Sequence, residues 1–262
     1  MTPLPEALAP IEAFVRGRLA GASAPVVIGL CGAQGSGKST IAAALAERIP
    51  DTAVLSLDDL YLPLAERERL ARTVHPLLRT RGVPGTHDVA LGEAVLAGLR
   101  AGRPVKLPRF DKATDERAPE STWPVAQGAR LVVFEGWCVG ARPQAEPGDP
   151  VNGLERDEDA DGAWRRYVNG ALAEHYGALF AVDALILLAA PGFEVVRNWR
   201  LQQEHALAAD IATGRRTGCA MSDDAVARFI QFYQRLTVHI LREMPERADL
   251  VVRLDADRRI IG

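Results

Sequence analysis

The residues Gly32–Ser39 can bind the phosphates of a nucleotide, because they read GAQGSGKS and match the pattern GxxxxGK[ST]. Glycines let successive backbone N–H groups point into one concavity, and the following helix adds its positive dipole end. Lys38 would reach the outer phosphates and Ser39 would offer a hydroxyl to Mg²⁺. We call this segment the P-loop. The residues expected to contact the nucleotide are Gly32, Ala33, Gln34, Gly35, Ser36, Gly37, Lys38, Ser39 and Thr40.

Lysine is rare in this chain, which has three lysines and twenty-eight arginines. A compact ammonium group fits between outer phosphates, whereas the planar guanidinium is wider and favours bidentate partners. The alternative is a glycine-rich turn in which Lys38 has no ligand. The context favours the nucleotide site, because an apolar run at 25–30 predicts a strand before the loop and 40–48 predicts a helix after it.

Two adjacent acids, Asp58 and Asp59, follow a predicted strand at 53–57. A carboxylate at this place can accept a proton from an attacking hydroxyl or hold Mg²⁺ through water. Aspartate also frequently caps helices, and a helix is predicted near Ala65. Two acids allow both roles, and the sequence leaves open which acid has which role.

Glu135 follows four consecutive apolar residues of a predicted strand at 130–134. An acid in such a place is unusual unless it faces a ligand or a buried arginine. Beside a P-loop it can bind Mg²⁺ or the waters that the ion holds. We expect this metal role, with arginine pairing as the alternative.

Two further segments concentrate polar residues, and each has a structural alternative. The segment 79–88 (RTRGVPGTHD) is either a rigid polar wall for a small anion or a turn that caps the next helix. In the segment 107–112 (LPRFDK), Arg109 and Lys112 either bind a carboxylate or phosphate of the substrate or pair with nearby surface acids.

Arg197, Arg200 and Glu204 share one face of a predicted helix by their spacing of three and four residues. An arginine there would neutralise charge on a transferred phosphoryl group. The alternative is an Arg–Glu pair on a solvated helix. The loop that follows has glycine at both ends, which is typical of a mobile lid, at about residues 210–220.

The pattern of elements predicts a layered α/β fold. Strands that alternate with long helices indicate parallel strands joined by crossover helices, with active-site loops at the carboxyl ends of the strands. Strands are predicted at 25–30, 53–57, 130–134, 184–188 and 250–254, and helices at 6–20, 40–48, 89–99, 163–180, 193–209 and 223–242. Two excursions interrupt the pattern: 103–124, a short strand with a charged excursion, and 140–161, a solvated surface loop.

Composition and charge exclude several classes of protein. Of the 262 residues, 48% are hydrophobic, which is enough for one large core, and the net charge is −3. Without clustered positive charge we expect binding to neither nucleic acid nor membrane. Three widely spaced cysteines predict no disulfide framework and no zinc site, and no apolar run is long enough to span a bilayer. We expect a cytoplasmic protein with one domain over residues 1–262.

The sequence contains six blocks in the following order: GAQGSGKST (32–40), SLDDLYLP (56–63), RGVPGTHD (81–88), LPRFDKATDERAP (107–119), VVFEGWCVG (132–140) and WRLQQE (199–204). Together they resemble the D-glycerate 3-kinase family, which is related to uridine kinase, phosphoribulokinase and pantothenate kinase. The resemblance extends from about Val26 to Leu254. The first block is common to many nucleotide enzymes, whereas the combination of GTHD, RFDK and FEGW is far more specific.

The resemblance implies a P-loop NTPase fold, with three αβα layers around a mainly parallel five-stranded sheet, plus a lid and substrate-side excursions. It implies ATP and Mg²⁺ as cofactors. Asp58 would be the catalytic base, with Asp59 as the fallback, and Glu135 would assist Ser39 at the metal. The predicted catalytic residues are Lys38, Asp58 and Arg200, the last as a lid arginine.

The resemblance also implies a small hydroxy acid, most simply D-glycerate, as the partner of a monomer or homodimer. The residues expected around this acceptor are Asp59, Tyr61, His87, Asp88, Arg109 and Lys112. A kinase of a nucleoside, pantothenate or a sugar phosphate would keep the same fold. A GTP-hydrolysing regulatory module is the alternative from another class, and the absence of an Asn-Lys-x-Asp motif argues against it.

Overall fold

Five parallel strands form the central sheet of the computed structural model, which describes residues 6–215 and 220–261. Four further strands lie outside this sheet. In chain order, the strands of the described residues are β1 (Val26–Gly32), β2 (Thr52–Ser56), β3 (Val105–Lys106), β4 (Phe110–Asp111), β5 (Glu116–Arg117), β6 (Val125–Ala126), β7 (Leu131–Gly136), β8 (Ala184–Ala189) and β9 (Leu250–Arg253). The helices are α1 (Leu8–Leu19), α2 (Lys38–Arg48), α3 (Leu64–Thr73), α4 (Val89–Arg100), α5 (Gly153–Glu158), α6 (Ala163–His175), α7 (Glu194–Ala212) and α8 (Asp223–Glu243).

The strand order in the sheet is β2-β7-β1-β8-β9, and every neighbouring pair is parallel. Each of the five predicted strands is present. The sheet therefore confirms the predicted α/β fold with parallel strands and crossover helices.

Helices cover both faces of the sheet. Alternate residues of a strand point to opposite faces, and since every residue of the central strands β7, β1 and β8 is buried, both faces must be covered. Ile28 and Leu30 of β1 belong to a core shared with α1, α2 and the first turns of α7. Val27 and Cys31 of the same strand belong to a second core, shared with α4, α6 and α8. The result is the three-layer arrangement expected from the sequence.

The register of the sheet aligns the carboxyl ends of three strands. Glu135 of β7 lies level with Leu30 of β1 on one side and Ser56 of β2 on the other. The P-loop after β1 and the acids after β2 therefore flank Glu135 at one edge of the sheet, where ligands bind in open α/β folds.

The first predicted excursion, residues 103–124, contains the antiparallel ladder of β4 with β5, and its β3 pairs antiparallel with β6, which follows the excursion directly. The buried guanidinium of Arg67 in α3 joins it to the body of the protein. Arg67 donates to the carbonyl oxygens of Leu62, Arg79 and Asp115 at 3.0, 2.6 and 3.0 Å. This one side chain thus holds three loops together.

The second predicted excursion, residues 140–161, is exposed in its first half, where none of residues 142–153 is buried. Its second half differs from the expected solvated loop, because Glu155, in α5, and Asp159 are buried. Glu155 pairs with Arg235 of α8 at 2.6 Å, and Asp159 pairs with Arg165 of α6 at 2.9 Å. The expectation was therefore wrong for these two acids, whose arginine partners lie outside the excursion.

Two boundaries differ from the sequence prediction. The helix predicted at 163–180 ends at His175, two residues before Gly177, a residue of low helix propensity. Helix α7 extends to Ala212, into the predicted lid at 210–220, and residues 216–219 of that lid lie outside the described residues.

Within residues 6–215 and 220–261, no helix has both the length and the apolar character needed to cross a lipid bilayer.

We expect Glu155→Gln to lower the free energy of unfolding by about 3 kcal/mol, because it leaves Arg235, whose side chain is only 11% exposed, without its counter-ion. Urea unfolding followed by circular dichroism measures the change. Glu158→Gln in the same helix is the matched control. Its partner Arg228 is 51% exposed, so we expect a loss below about 1 kcal/mol. Equal losses in the two variants would contradict this account of the buried pair.

Candidate active site

The P-loop follows β1 directly and leads into α2, which begins at Lys38. Gly35 and Gly37 have φ angles of +80° and +94°, in the left-handed region that favours glycine. At Gly35 a Cβ atom would lie 2.6 Å from the Cβ of Trp199. The loop therefore needs glycine both for its own shape and for its contact with α7.

Glu135 connects the P-loop to the end of β2. Its Oε1 accepts hydrogen bonds from the hydroxyls of Ser39 at 3.1 Å and Ser56 at 2.7 Å. Its Oε2 is buried and has no hydrogen-bond partner in the part of the chain that the structure describes. Carboxylate and hydroxyl oxygens are ligands that suit Mg²⁺. The unpartnered Oε2 beside Ser39 therefore fits the metal role predicted for these two residues.

Asp58 lies in the 3-10 turn that follows β2. Its Oδ1 accepts a hydrogen bond from the hydroxyl of Tyr61, and its Oδ2 pairs with the Nζ of Lys112, both at 2.6 Å. Burial would raise the pKa of Asp58, but the charges of Lys112 and Lys38 and the two hydrogen bonds outweigh it and hold the pKa below its ordinary value. Asp58 is therefore a carboxylate at neutral pH.

Asp59 holds the hairpin formed by β4 and β5. Its Oδ1 accepts a hydrogen bond from the N–H of Phe110 at 3.0 Å, and its Oδ2 pairs with Arg109 at 3.2 Å. Burial raises the pKa of Asp59. Neither acid caps α3, whose N-cap residue is Pro63. The structure thus separates the two acids: Asp58 faces a cavity and Asp59 positions a loop.

A cavity lies between the P-loop and Asp58. Among the described residues, four cationic side chains and one carboxylate line it. The lining residues are Gln34, Lys38, Asp58, Tyr61, Arg81, Lys112, Trp137, Arg200, Phe229 and Tyr233.

Arg200 reaches this cavity from α7. Its guanidinium forms an ion pair with Glu204 and lies 5.5 Å from the ring centre of Phe229. Glu204 is buried, so this is not the solvated Arg–Glu pair that the sequence allowed. The Nε of Arg200 is buried without a hydrogen-bond partner in the described residues. Arg197, on the same helix, is exposed and does not line the cavity.

His87 does not line the cavity; its ring stacks on Tyr61, with the ring centres 5.1 Å apart. Its Nδ1 is 2.7 Å from the hydroxyl of Tyr176, which also accepts a hydrogen bond from the N–H of Gly85. The Nε2 of His87 is buried and has no hydrogen-bond partner among the described residues. Burial lowers the pKa of His87 to about 4. A neutral His87 therefore supports Tyr61 and offers no positive charge to an acceptor.

Asp88 and Arg109 are also absent from the cavity lining. Asp88 caps α4 by accepting a hydrogen bond from the N–H of Leu91 at 3.0 Å, and it pairs with Arg117 at 2.8 Å. Arg109 pairs with Asp59. The structure thus has the helix cap that was the alternative for segment 79–88. Direct contact of these residues with an acceptor stays a prediction.

Of the six residues predicted around the acceptor, the structure brings Tyr61 and Lys112 to the cavity. Sequence reasoning missed four lining residues. Two of them stand in the RGVPGTHD and FEGW blocks, which indicated the right segments but not which side chain faces the cavity. The other two lie on α8, where apolar spacing does not separate a cavity wall from a core. The four residues are Arg81, Trp137, Phe229 and Tyr233.

Comparisons with known proteins find kinases among the relatives of this chain. Residues 27–113 match the family model described as an AAA domain. The uncharacterized kinase mug58 of Schizosaccharomyces pombe is 35% identical and is aligned over 86% of this chain and 84% of its own length. The chloroplastic D-glycerate 3-kinase of Arabidopsis thaliana is 32% identical over 90% of this chain, which spans 54% of that protein. The structure of D-glycerate 3-kinase from Cryptococcus neoformans has a TM-score of 0.78 at 25% identity, with 98% of each chain covered.

We expect the stability difference between the wild type and His87→Gln to depend on pH. The pKa of His87 is lowered from its ordinary 6.5 to about 4, so below pH 6.5 the unfolded chain binds the proton more readily. This group should cost the wild type about 1.4 kcal/mol of unfolding free energy per pH unit as the pH falls from about 6.5 to about 4. The Gln variant lacks that loss.

Urea unfolding between about pH 4.5 and pH 7.5 measures the difference. His175→Gln is the matched control, because the side chain of His175 is 63% exposed; it should follow the wild-type profile. Parallel pH profiles of the wild type and the His87 variant would refute the neutral, buried state of His87.

Proposed function

Because this chain belongs to the family of P-loop kinases that includes D-glycerate 3-kinase, we propose that it phosphorylates a small hydroxy acid, namely D-glycerate, to 3-phosphoglycerate. The chain is an ATP-dependent kinase. The acceptor is the proposed part, and the charge of the cavity is the observation that carries it.

The cavity has four cationic groups and a single carboxylate among its described lining residues. Lys38 belongs to the P-loop and Arg200 to the helix that packs on it, so these two cations lie on the side of the phosphate donor. Lys112 pairs with Asp58, and Arg81 contacts Tyr61. A second anionic ligand would balance them, and a small hydroxy acid has both the negative charge and the hydroxyl that a kinase needs.

On the donor side, the P-loop N–H groups and Lys38 would bind the phosphates of ATP. Ser39 and Glu135 would hold Mg²⁺. When bound, the ion would neutralise charge on the phosphate oxygens. The hydrogen bonds of Glu135 with Ser39 and Ser56 already orient these oxygens. The chain therefore needs little rearrangement on this side to hold ATP with its metal.

On the acceptor side, Asp58 would orient the attacking hydroxyl. The hydroxyl oxygen forms a bond to the γ-phosphorus, the bond between that phosphorus and the bridging oxygen breaks, and ADP leaves. The hydroxyl proton goes to Asp58 and then to solvent. Since the pKa of Asp58 is held low, it accepts the proton late, when the new oxygen–phosphorus bond has acidified the hydroxyl. Such a late transfer suits the loose transition state of phosphoryl transfer.

Arg200 would stabilise the charge that spreads over the transferred group. Its pairing with the buried Glu204 and its contact with Phe229 hold the guanidinium in place before the reaction. A positioned cation costs little reorganisation at the moment of transfer.

The first test is a screen of acceptors with ATP and Mg²⁺, followed by detection of ADP and of the phosphorylated product. We expect turnover with D-glycerate, and 3-phosphoglycerate as the product. Preferred turnover of uridine, pantothenate or a sugar phosphate would refute the proposed acceptor and leave the kinase in place. A preference for GTP without any small-molecule acceptor would favour the regulatory alternative.

The second test compares two lysines. Lys38→Ala should lower kcat by about 100-fold to 1,000-fold, because it removes a cation aimed at the phosphates, while the unfolding transition moves little. Lys106→Ala is the matched control, since Lys106 pairs with Glu120 at the surface and is 49% exposed. Normal turnover in Lys38→Ala would be incompatible with the donor site described above.

A further inference from the structure

The backbone at Arg81 and Gly82 is held by three side chains. The carbonyl of Arg81 accepts a hydrogen bond from the hydroxyl of Tyr233 at 3.3 Å, and that of Gly82 accepts one from the indole of Trp137 at 2.8 Å. The N–H of Gly82 donates to the hydroxyl of Thr86 at 2.9 Å. Since two of these side chains line the cavity themselves, Arg81 is fixed relative to the cavity wall.

The glycine beside Arg81 permits this close approach. Gly82 has a φ angle of +128°, and a Cβ atom at Gly82 would lie 2.1 Å from the hydroxyl oxygen of Tyr233. No other residue type could keep both the backbone conformation and the contact. Gly82 thus lets Tyr233 pack directly against the backbone next to Arg81, which fixes the position of that backbone.

The guanidinium of Arg81 is positioned as well as its backbone. It lies 5.9 Å from the ring centre of Tyr61 and 5.4 Å from that of Phe110, and these two rings contact each other edge to face. Its Nη1 donates to the carboxylate of Asp115, which also pairs with the buried Arg67. Aromatic contacts and one shared counter-ion therefore restrict the orientation of this cation.

Arg81 keeps hydrogen-bonding capacity for a ligand. A guanidinium has five N–H donors. In residues 6–215 and 220–261, Asp115 is the one acceptor for the side chain of Arg81, and the side chain is 26% exposed where it lines the cavity. Asp115 divides its charge between Arg81 and Arg67, so it neutralises Arg81 only in part.

The neighbours of Arg81 place it on the acceptor side. Its guanidinium contacts the ring of Tyr61, and the hydroxyl of Tyr61 donates a hydrogen bond to the carboxylate of Asp58. Its other partners, Phe110 and Asp115, belong to the hairpin of β4 and β5. Arg200, by contrast, comes from the helix that packs on the P-loop. Arg81 and Arg200 thus reach the same cavity from different elements.

We infer that Arg81 binds the carboxylate of the acceptor and thereby makes the enzyme selective for hydroxy acids over neutral alcohols. This inference rests on the proposed function in that the acceptor is an acid, but not on its being D-glycerate. The planar fork of a guanidinium matches a carboxylate with two parallel hydrogen bonds. A neutral alcohol cannot make these bonds, so it would bind beside a cation that stays unneutralised.

The test compares Arg81→Gln with the wild type on matched pairs of acceptors, one acidic and one neutral: D-glycerate with glycerol, and pantothenate with panthenol. For the acidic acceptor that the wild type uses, we expect KM to rise about 10-fold to 100-fold, the loss typical of a charge-assisted hydrogen bond. We expect kcat and the KM for ATP to change little, because the carboxylate contact is the same before and during transfer.

Two further variants separate binding from folding. Arg79→Gln removes a nearby arginine that pairs with Glu68 and is 62% exposed, and it should behave as the wild type. Arg81→Lys keeps the charge but not the fork, and its KM for the acid should also rise. A wild-type KM in Arg81→Lys would overturn the inference, whatever the stability of Arg81→Gln.

The remaining outcomes distinguish this inference from the proposed acceptor. If the wild type prefers pantothenate over panthenol and ignores D-glycerate, the proposed acceptor fails; loss of that preference in Arg81→Gln still supports the role of Arg81. If the wild type prefers the neutral member of a pair, or uses no acid at all, the inference is overturned. A raised KM for ATP with an unchanged KM for the acid would assign Arg81 to the donor and overturn it too.

Discussion

The position of Glu135 is the constraint on which the candidate site depends. The parallel register brings the carboxyl end of β7 between those of β1 and β2. Glu135 then accepts hydrogen bonds from Ser39, at the start of α2, and from Ser56, at the end of β2. One buried carboxylate therefore links the phosphate loop with the turn that contains Asp58. These two hydrogen bonds hold the P-loop and the turn that contains Asp58 in one arrangement.

The acceptor side depends on buried or partly buried charges rather than on the sheet. Asp59 anchors the hairpin of β4 and β5 through Phe110, and Arg67 anchors it through Asp115. That hairpin carries Lys112 to Asp58. The chain as a whole has a net charge of −3, yet the described lining of the cavity is rich in cations. Carboxylates fix the positions of three of them: Asp58 pairs with Lys112, Asp115 with Arg81, and Glu204 with Arg200. Local placement, and not overall charge, sets the field that a ligand meets.

Most of the fold could be predicted from the sequence because its signals are local. Mainly apolar runs of five or six residues between turn-rich segments indicated all five strands of the sheet, and alternation with helices indicated that the strands are parallel. The burial of Glu155 and Asp159 in the excursion at 140–161 could not be predicted in this way. Acidic composition usually means solvent exposure, but Glu155 pairs with Arg235, which is 80 residues away, and Asp159 pairs with Arg165 in the helix that follows.

The candidate site, like the fold, has some features that local sequence determines and others that contacts between distant residues decide. The sequence by itself determined the P-loop and the acids at the strand ends, because a glycine pattern and the end of a strand constrain the backbone within a few residues. Tertiary structure decided which acid faces the cavity, why His87 stays neutral behind Tyr61, and that Arg81 lines the wall. These properties arise from contacts between residues distant in sequence, such as that of Arg81 with Tyr233, and the spacing of residues along the chain carries no record of such contacts.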